Sequence, residues 1–139
     1  MMPPDDVITE AKIVQQRSYS PYSNFKVGAA IRSLDGKIFS GCNIENVSYG
    51  LTICAERTAV CAAVSAGYRS FGEMVIVANS APPCPPCGAC RQFLYEFAPE
   101  LKIWGLNLEG EIRFFRLRDL LPDAFNATFI YPPPLKDRS

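Results

Sequence analysis

The sequence contains no histidine. Imidazole is the commonest side chain in metal sites and the usual acid-base group near pH 7, and neither use is open to this chain. A zinc site must therefore be built from sulfur and carboxylate ligands. A catalytic base must likewise be an acidic residue.

The chain also lacks an excess of charge of either sign and a long apolar run. Its 14 Lys and Arg residues balance 14 Asp and Glu, and no basic cluster has the length expected of a nucleic-acid or anionic-membrane surface. No apolar stretch approaches the ~20 residues of a membrane span, and residues 1–6 lack the order of a signal peptide. We therefore expect a cytoplasmic protein that binds neither nucleic acid nor membranes.

Six cysteines occur in this chain. Without an export signal the thiols are expected to stay reduced, which favours metal binding or reactivity over disulfides. Cys54 opens a Cys-Ala-Glu sequence that ends at Glu56, and Cys87 and Cys90 belong to Pro-Cys-Gly-Ala-Cys. Three thiolates can hold one zinc ion and leave its fourth position for water, while Glu56 is placed to move protons. The spacing predicts a hydrolytic zinc site.

The sequence pattern predicts an α/β fold. Apolar periodicity predicts a helix at residues 5–18, and an alanine-rich run that stops at Gly67 predicts another at residues 54–66. A further helix is predicted at residues 87–97, before Pro99, and a helical turn at residues 118–121. Short apolar runs predict five strands, at residues 27–31, 37–42, 74–78, 101–108 and 112–117. Asp5 or Asp6 is available as the first N-cap, and Asp35-Gly36 favours a hairpin turn. We expect one layered domain over residues 1–139 with a mixed sheet, ending in an irregular tail from about residue 126.

In this scheme Cys54 and Cys87 each begin a helix, and Cys90 lies one turn beyond Cys87. The partial positive charge of two helix N-termini then favours thiolate over thiol. Zinc plus three thiolates still sums to a net charge of minus one, and Arg57 is the expected hydrogen-bond donor to the sulfurs. Glu56 would close the site as a fourth ligand and is better interpreted as a proton shuttle, for hydroxide attack on an amidine-like carbon with loss of ammonia.

Asn43 and Glu45 follow the second predicted strand and lie two residues apart, where they can hydrogen-bond sugar hydroxyls. Together with the cysteine motifs, which match the zinc deaminase signature, they make the chain resemble the small homotetrameric cytidine deaminases over roughly residues 8–125. The resemblance is carried by Tyr22-Ser23-Asn24-Phe25 with Val27-Gly28-Ala29-Ala30, Asn43-Ile44-Glu45-Asn46, residues 53–57, residues 86–92 and Leu120-Leu121-Pro122.

The resemblance implies a three-layer α/β/α domain that binds one Zn²⁺ per chain and deaminates cytidine and 2′-deoxycytidine in pyrimidine salvage. It implies that Asn43 and Glu45 hold the ribose 3′-hydroxyl and that Phe25 packs against the pyrimidine. The main chain at Ala55 and the carboxylate of Glu56 would orient the base.

The resemblance also implies a homotetramer with pockets shared between subunits, to which Tyr49 and Phe125 would contribute. The sequence departs from the family pattern at Val47, where alanine is frequent, at Cys84, and from Asn126 onward.

Three alternatives remain open on sequence alone. Cys84 forms a second Cys-x-x-Cys with Cys87, so four sulfurs with Cys54 and Cys90 would make a closed structural zinc site. The same spacings suit a redox dithiol that cycles without metal. A third alternative is a deaminase of modified cytosine nucleosides such as the aminoacylnucleoside antibiotics. The remaining thiols, Cys42 and Cys61, are expected to be small core residues.

Overall fold

A central sheet organises the chain in the computed structural model, which describes residues 1–131. Its strands are β1 (Val27–Ser33), β2 (Ile38–Cys42), β3 (Phe71–Ala78), β4 (Lys102–Leu106) and β5 (Ile112–Arg116). They lie in the order β2-β1-β3-β4-β5, with β3 and β4 parallel and the other neighbours antiparallel. The predicted five-stranded mixed sheet is therefore confirmed.

The helices are α1 (Asp5–Gln15), α2 (Ala55–Ser65), α3 (Gly88–Tyr95) and the short α4 (Leu117–Leu120). Two 3₁₀ turns lie at Tyr49–Leu51 and Ala127–Phe129. The second turn falls in the segment predicted to be an irregular tail, and the rest of that prediction, residues 132–139, lies outside the described residues. No helix within residues 1–131 has the length and apolar character that a membrane crossing requires.

The helices cover the two faces of the sheet with separate apolar clusters. Helix α1 packs on one face, in a buried cluster made of Val7, Ala11, Ala30, Val75, Val77, Trp104 and Leu106. Helices α2, α3 and α4 pack on the other face, in a larger cluster that includes Ala29, Ile31, Ala59, Val60, Met74, Ile76, Leu94, Ile103 and Leu117. Alternate residues of β1 point to opposite clusters, as the period of a strand requires. The three-layer α/β/α fold is confirmed.

Two glycines let the helices approach the sheet closely. A Cβ at Gly28 of β1 would lie 2.2 Å from the carbonyl oxygen of Ala11 in α1. A Cβ at Gly41 of β2 would lie 2.4 Å from the backbone nitrogen of Ala59 in α2. Because these contacts are with backbone, a side-chain rotation could not relieve them. Gly41 therefore sets the depth at which α2 lies on the sheet.

Two local predictions differ from the structure. The first helix ends at Gln15 rather than near residue 18, because Tyr19 donates its backbone N–H to the carbonyl oxygen of Asn43 (3.1 Å) and the chain turns toward β2. Its N-cap is Pro4, so Asp5 and Asp6 lie inside the first turn, where their charges suit the helix dipole.

The prediction for Cys61 as a core residue was wrong, since this thiol is exposed, and Cys42 is only half-buried. The buried face of α2 is formed by Ala55, Ala59 and Ala63 with their neighbours. Small residues occupy both faces of this helix, so composition did not distinguish the outer face from the inner one.

We predict that Gly41→Ala lowers the free energy of unfolding by ~2–3 kcal/mol, the upper end of overpacking, because α2 must move away from the sheet. Gly72→Ala in β3 is the matched control, since a Cβ there meets only the end of the exposed Leu34 side chain (3.3 Å), and it should stay within ~0.5 kcal/mol of the parent. Urea unfolding followed by circular dichroism measures both. Equal stability of the two variants would contradict the close packing of α2.

Candidate active site

Three cysteine sulfurs meet where α2 and α3 begin. Cys54 is the N-cap of α2, Cys87 is the N-cap of α3, and Cys90 lies in the first turn of α3. The Sγ atoms of Cys54 and Cys87 are 3.7 Å apart, those of Cys87 and Cys90 are 3.4 Å apart, and all three lie within 4.8 Å of one another. The N-termini of two helices thus point at one small volume.

These sulfurs fit a zinc ion. Tetrahedral zinc with Zn–S bonds of about 2.3 Å requires sulfurs about 3.8 Å apart, close to the separations found here. Within residues 1–131, Cys54, Cys87 and Cys90 are the only group of three or more possible ligands drawn together in this way. Cys84 is outside the group, and its thiol points toward the carbonyl oxygen of Pro85 (3.4 Å). The geometry therefore favours three sulfur ligands over a closed four-sulfur site.

Hydrogen bonds already favour a thiolate in this cluster. The Cys90 thiol and the Arg57 guanidinium donate to the sulfur of Cys54 and lower the pKa of Cys54 to about 5. As the donor to that sulfur, Cys90 has a raised pKa, so a metal ion must displace its proton. Arg57 Nη2 lies 3.6 Å from Cys54 Sγ, and this contact raises the pKa of the guanidinium. The positively charged guanidinium of Arg57 therefore lies next to the sulfur of Cys54.

A cleft of about 220 Å³ opens beside the sulfurs. It is lined by Phe25, Val27, Asn43, Thr52, Cys54, Ala55, Glu56, Cys84, Pro85 and Cys87. Six residues singled out by the sequence are therefore brought together in one cavity. Glu56 is only 5 % exposed, and burial raises the pKa of its carboxyl to about 7. The carboxyl can therefore take up and release protons near neutral pH.

Asn43 holds the backbone that carries Phe25. Its Oδ1 accepts a hydrogen bond from the backbone N–H of Val27 (3.0 Å) and another from the Ser18 hydroxyl. Its Nδ2 donates to the carbonyl oxygen of Phe25 (2.7 Å). The amide is buried, and these bonds fix the wall of the cleft on which the ring of Phe25 stands.

Glu45 lies in an adjoining cavity of about 290 Å³, which it lines with Tyr22, Ser23, Tyr49 and Thr52. Its carboxylate accepts hydrogen bonds from the Ser23 hydroxyl and from the backbone N–H groups of Tyr22 (2.9 Å) and Ser23 (3.2 Å). These hydrogen bonds lower the pKa of the Glu45 carboxyl, and the bond from the Ser23 hydroxyl has the largest effect. Thr52 lines both cavities, which therefore adjoin.

Two residues singled out by the sequence stand apart from the sulfur cleft of their own chain. The side chain of Tyr49 is 73 % exposed and lies edge-on to Tyr22. Phe125 is 55 % exposed and stacks on Phe129, with ring centroids 5.7 Å apart. Thr52 was missed by sequence reasoning because no motif marks it, and only the folded chain places it between the two cavities.

Comparison with known proteins agrees with this geometry. Residues 2–105 match the family model of the cytidine and deoxycytidylate deaminase zinc-binding region. The cytidine deaminase of Halalkalibacterium halodurans is 48 % identical over 122 residues, which cover 87 % of this chain and 92 % of that protein. The cytidine deaminase of Mycobacterium tuberculosis is 46 % identical over 108 residues, 78 % of each chain.

Solved structures lead to the same family. The crystal structure of cytidine deaminase from Burkholderia pseudomallei is 49 % identical, with a TM-score of 0.85, and the match covers 89 % of this chain and 100 % of that chain. The structure of the Mycobacterium tuberculosis enzyme is 43 % identical with a TM-score of 0.76, and covers 87 % of this chain and 95 % of that chain. The resemblance found in the sequence is confirmed, and the chain belongs to the cytidine and deoxycytidylate deaminase zinc-binding family.

Proposed function

We propose that this chain is a cytoplasmic, zinc-dependent cytidine deaminase of pyrimidine salvage. It converts cytidine and 2′-deoxycytidine into uridine and 2′-deoxyuridine and releases ammonia. The observation that carries the proposal is the cluster of three cysteine sulfurs next to a cleft of about 220 Å³ that the buried Glu56 lines. The cytidine deaminases among its relatives support the same reaction.

The proposed chemistry divides between the metal and Glu56. Zinc held by Cys54, Cys87 and Cys90 supplies Lewis-acid activation of the attacking water. Glu56 takes one proton from that water and delivers it to ring atom N3, and it then carries the second proton from the oxygen bonded to C4 to the departing amine. The water oxygen becomes bonded to C4 of the cytosine, the C4–N4 bond breaks, and N4 leaves as ammonia. The raised pKa of Glu56 suits a group that both accepts and donates.

The proposed roles of the other residues follow from their positions. Phe25 packs against the pyrimidine and the main chain at Ala55 orients it, since both line the sulfur cleft. Arg57 offsets the charge of the thiolates. Asn43 and Glu45 hold the ribose 3′-hydroxyl. Neither cavity is lined by Lys or Arg among the described residues, which favours a nucleoside over a nucleotide.

The proposal includes a homotetramer in which neighbouring subunits complete each pocket. Tyr49 and Phe125 are the residues assigned to the shared pockets. Each exposes more than half of its side chain, although aromatic rings of this size usually find cover. Val47 and Leu51, which flank Tyr49, are also exposed, at 78 % and 65 %. An apolar surface of this kind is typical of a protein interface.

We predict that Cys54→Ala and Cys90→Ala each lose zinc, because two sulfurs cannot hold the ion at a site that needs three. Cys84→Ala is the matched control and should keep one zinc per chain. Metal content of dialysed protein, measured by mass spectrometry, distinguishes the variants. Loss of zinc from Cys84→Ala would show that the ligand set is wrongly assigned.

We predict that Glu56→Gln keeps its zinc and its unfolding midpoint while turnover falls by at least ~10²–10⁴-fold, since the amide cannot relay protons. Glu10→Gln, on the exposed face of α1, is the control for the loss of one carboxylate and should retain full turnover. Loss of the cytidine absorbance band measures the rate. Turnover near the parent value in Glu56→Gln would rule out the proton shuttle.

We predict that 3′-deoxycytidine is a poor substrate and that Glu45→Ala lowers kcat/KM for cytidine by roughly 10–100-fold, the value of one hydrogen bond to a charged group. The same change should alter kcat/KM for 3′-deoxycytidine little, so the difference in kcat/KM between the two substrates becomes smaller. Ser23→Ala is the control, because it loosens the loop but keeps the carboxylate, and it should affect both substrates alike. An equal loss for both substrates in Glu45→Ala would leave Glu45 only a structural role.

A further inference from the structure

Two adjacent side chains of α3 reach away from the helix to the carbonyl oxygens of other segments. Arg91 donates from Nε to the carbonyl oxygen of Pro86 (2.8 Å) and from Nη1 to that of Leu120 (3.1 Å). Gln92 donates from Nε2 to the carbonyl oxygen of Phe125 (2.9 Å). Neither side chain lines the sulfur cleft. Together they join the metal-binding loop, α3 and the C-terminal segment at residues 120–125.

The two hydrogen bonds from Arg91 stabilise the segments whose carbonyl groups accept them. Leu120 is the last residue of the four-residue helix α4, and carbonyl groups at a helix end lack partners within the helix. Pro86 directly precedes the zinc ligand Cys87. Arg91 serves both carbonyls at once because a guanidinium presents donors in fixed, diverging directions.

Residues 121–125 follow α4 without helix or strand structure. Asp123 adopts a positive φ of 53°, which turns the chain, and Ala124 is the next buried residue. Phe125 is more than half exposed, so burial of its own ring does not fix its position. The ring of Phe125 stacks on Phe129 of the same C-terminal segment, whereas the hydrogen bond from Gln92 to its carbonyl oxygen links Phe125 to α3. Phe125 is therefore linked to α3, the helix that has Cys87 as its N-cap and Cys90 in its first turn.

We propose that Arg91 and Gln92 are positioning residues, and that Gln92 of one subunit sets substrate affinity in the pocket of its neighbour by holding Phe125. The proposal rests on the proposed function, in which Phe125 completes a neighbouring pocket. It assigns to Gln92 an effect on KM in a site that its own chain does not contain. Arg91 keeps the same segment aligned with the metal-binding loop.

The first experiment compares variants of Gln92. Gln92→Glu has the same shape but no donor, and KM for cytidine should rise by about 3- to 10-fold with kcat and zinc content unchanged. Gln92→Lys restores a hydrogen-bond donor, so its KM for cytidine should be close to that of the parent protein. Gln16→Glu, the same change at the exposed end of α1, should leave KM unaltered. A fall in kcat or zinc content without a change in KM would overturn the positioning role.

The second experiment identifies the pocket that is affected. Gln92→Glu chains are co-expressed with an excess of differently tagged Glu56→Gln chains, and mixed oligomers are purified. The active sites then belong to Gln92→Glu chains but receive Phe125 from chains with intact Gln92, so KM should return to the parent value. A KM that stays high would show that Gln92 acts within its own chain and would overturn the proposal.

Light scattering of the parent protein separates the two possible failures. A monomer would exclude shared pockets, and with them both the tetramer of the proposed function and this inference. A tetramer whose mixed oligomers keep the high KM would leave the shared pockets standing and reject only the role of Gln92. A tetramer whose mixed oligomers recover the parent KM supports both.

Discussion

Three cysteine sulfurs lie within 4.8 Å of one another, and as zinc-bound thiolates they would repel each other unless the surrounding structure offset their charge. Cys54 and Cys87 are placed at the N-termini of α2 and α3, where helix dipoles favour negative charge. Arg57 adds a full positive charge against Cys54. Both helices must lie on the same face of the sheet for their ends to meet, and Gly41 allows α2 to settle deeply enough there.

The packing of α2 on the sheet also determines the environment of the Glu56 carboxyl. Glu56 is two residues from Cys54 on the buried face of α2, so the helix that delivers a sulfur also removes the carboxyl from water. Desolvation disfavours the charged carboxylate and raises the pKa of Glu56 to about 7. With the ordinary pKa of a carboxyl, Glu56 would be almost fully ionised at neutral pH and would hold a proton for donation less readily. In the proposed mechanism, metal binding and proton transfer thus both depend on α2 and on how closely it packs on the sheet.

The sequence predicted what is encoded locally. The fixed offsets among Cys54, Glu56, Cys87 and Cys90, together with the alanine-rich run and the glycine after it, were enough to place two helix starts and a metal cluster. Asn43 and Glu45 were singled out by their place after the second predicted strand, and the resemblance supplied their role. Their contacts with residues 18–27 depend on how two separate segments meet, which no local pattern records. Thr52 and the carbonyl contacts of Arg91 were missed for the same reason. Cys61 was wrongly placed because an alanine-rich helix gives little indication of its buried face.

The central claim is a zinc ion with three sulfur ligands and one position open to water beside Glu56. X-ray absorption at the zinc edge of the purified holoprotein tests it most directly, because sulfur and oxygen neighbours differ in both scattering and distance. We expect three sulfur neighbours at about 2.3 Å and one oxygen or nitrogen neighbour at about 2.0 Å. A first shell of four sulfurs would contradict the claim, since it would leave no position for the water that the reaction consumes.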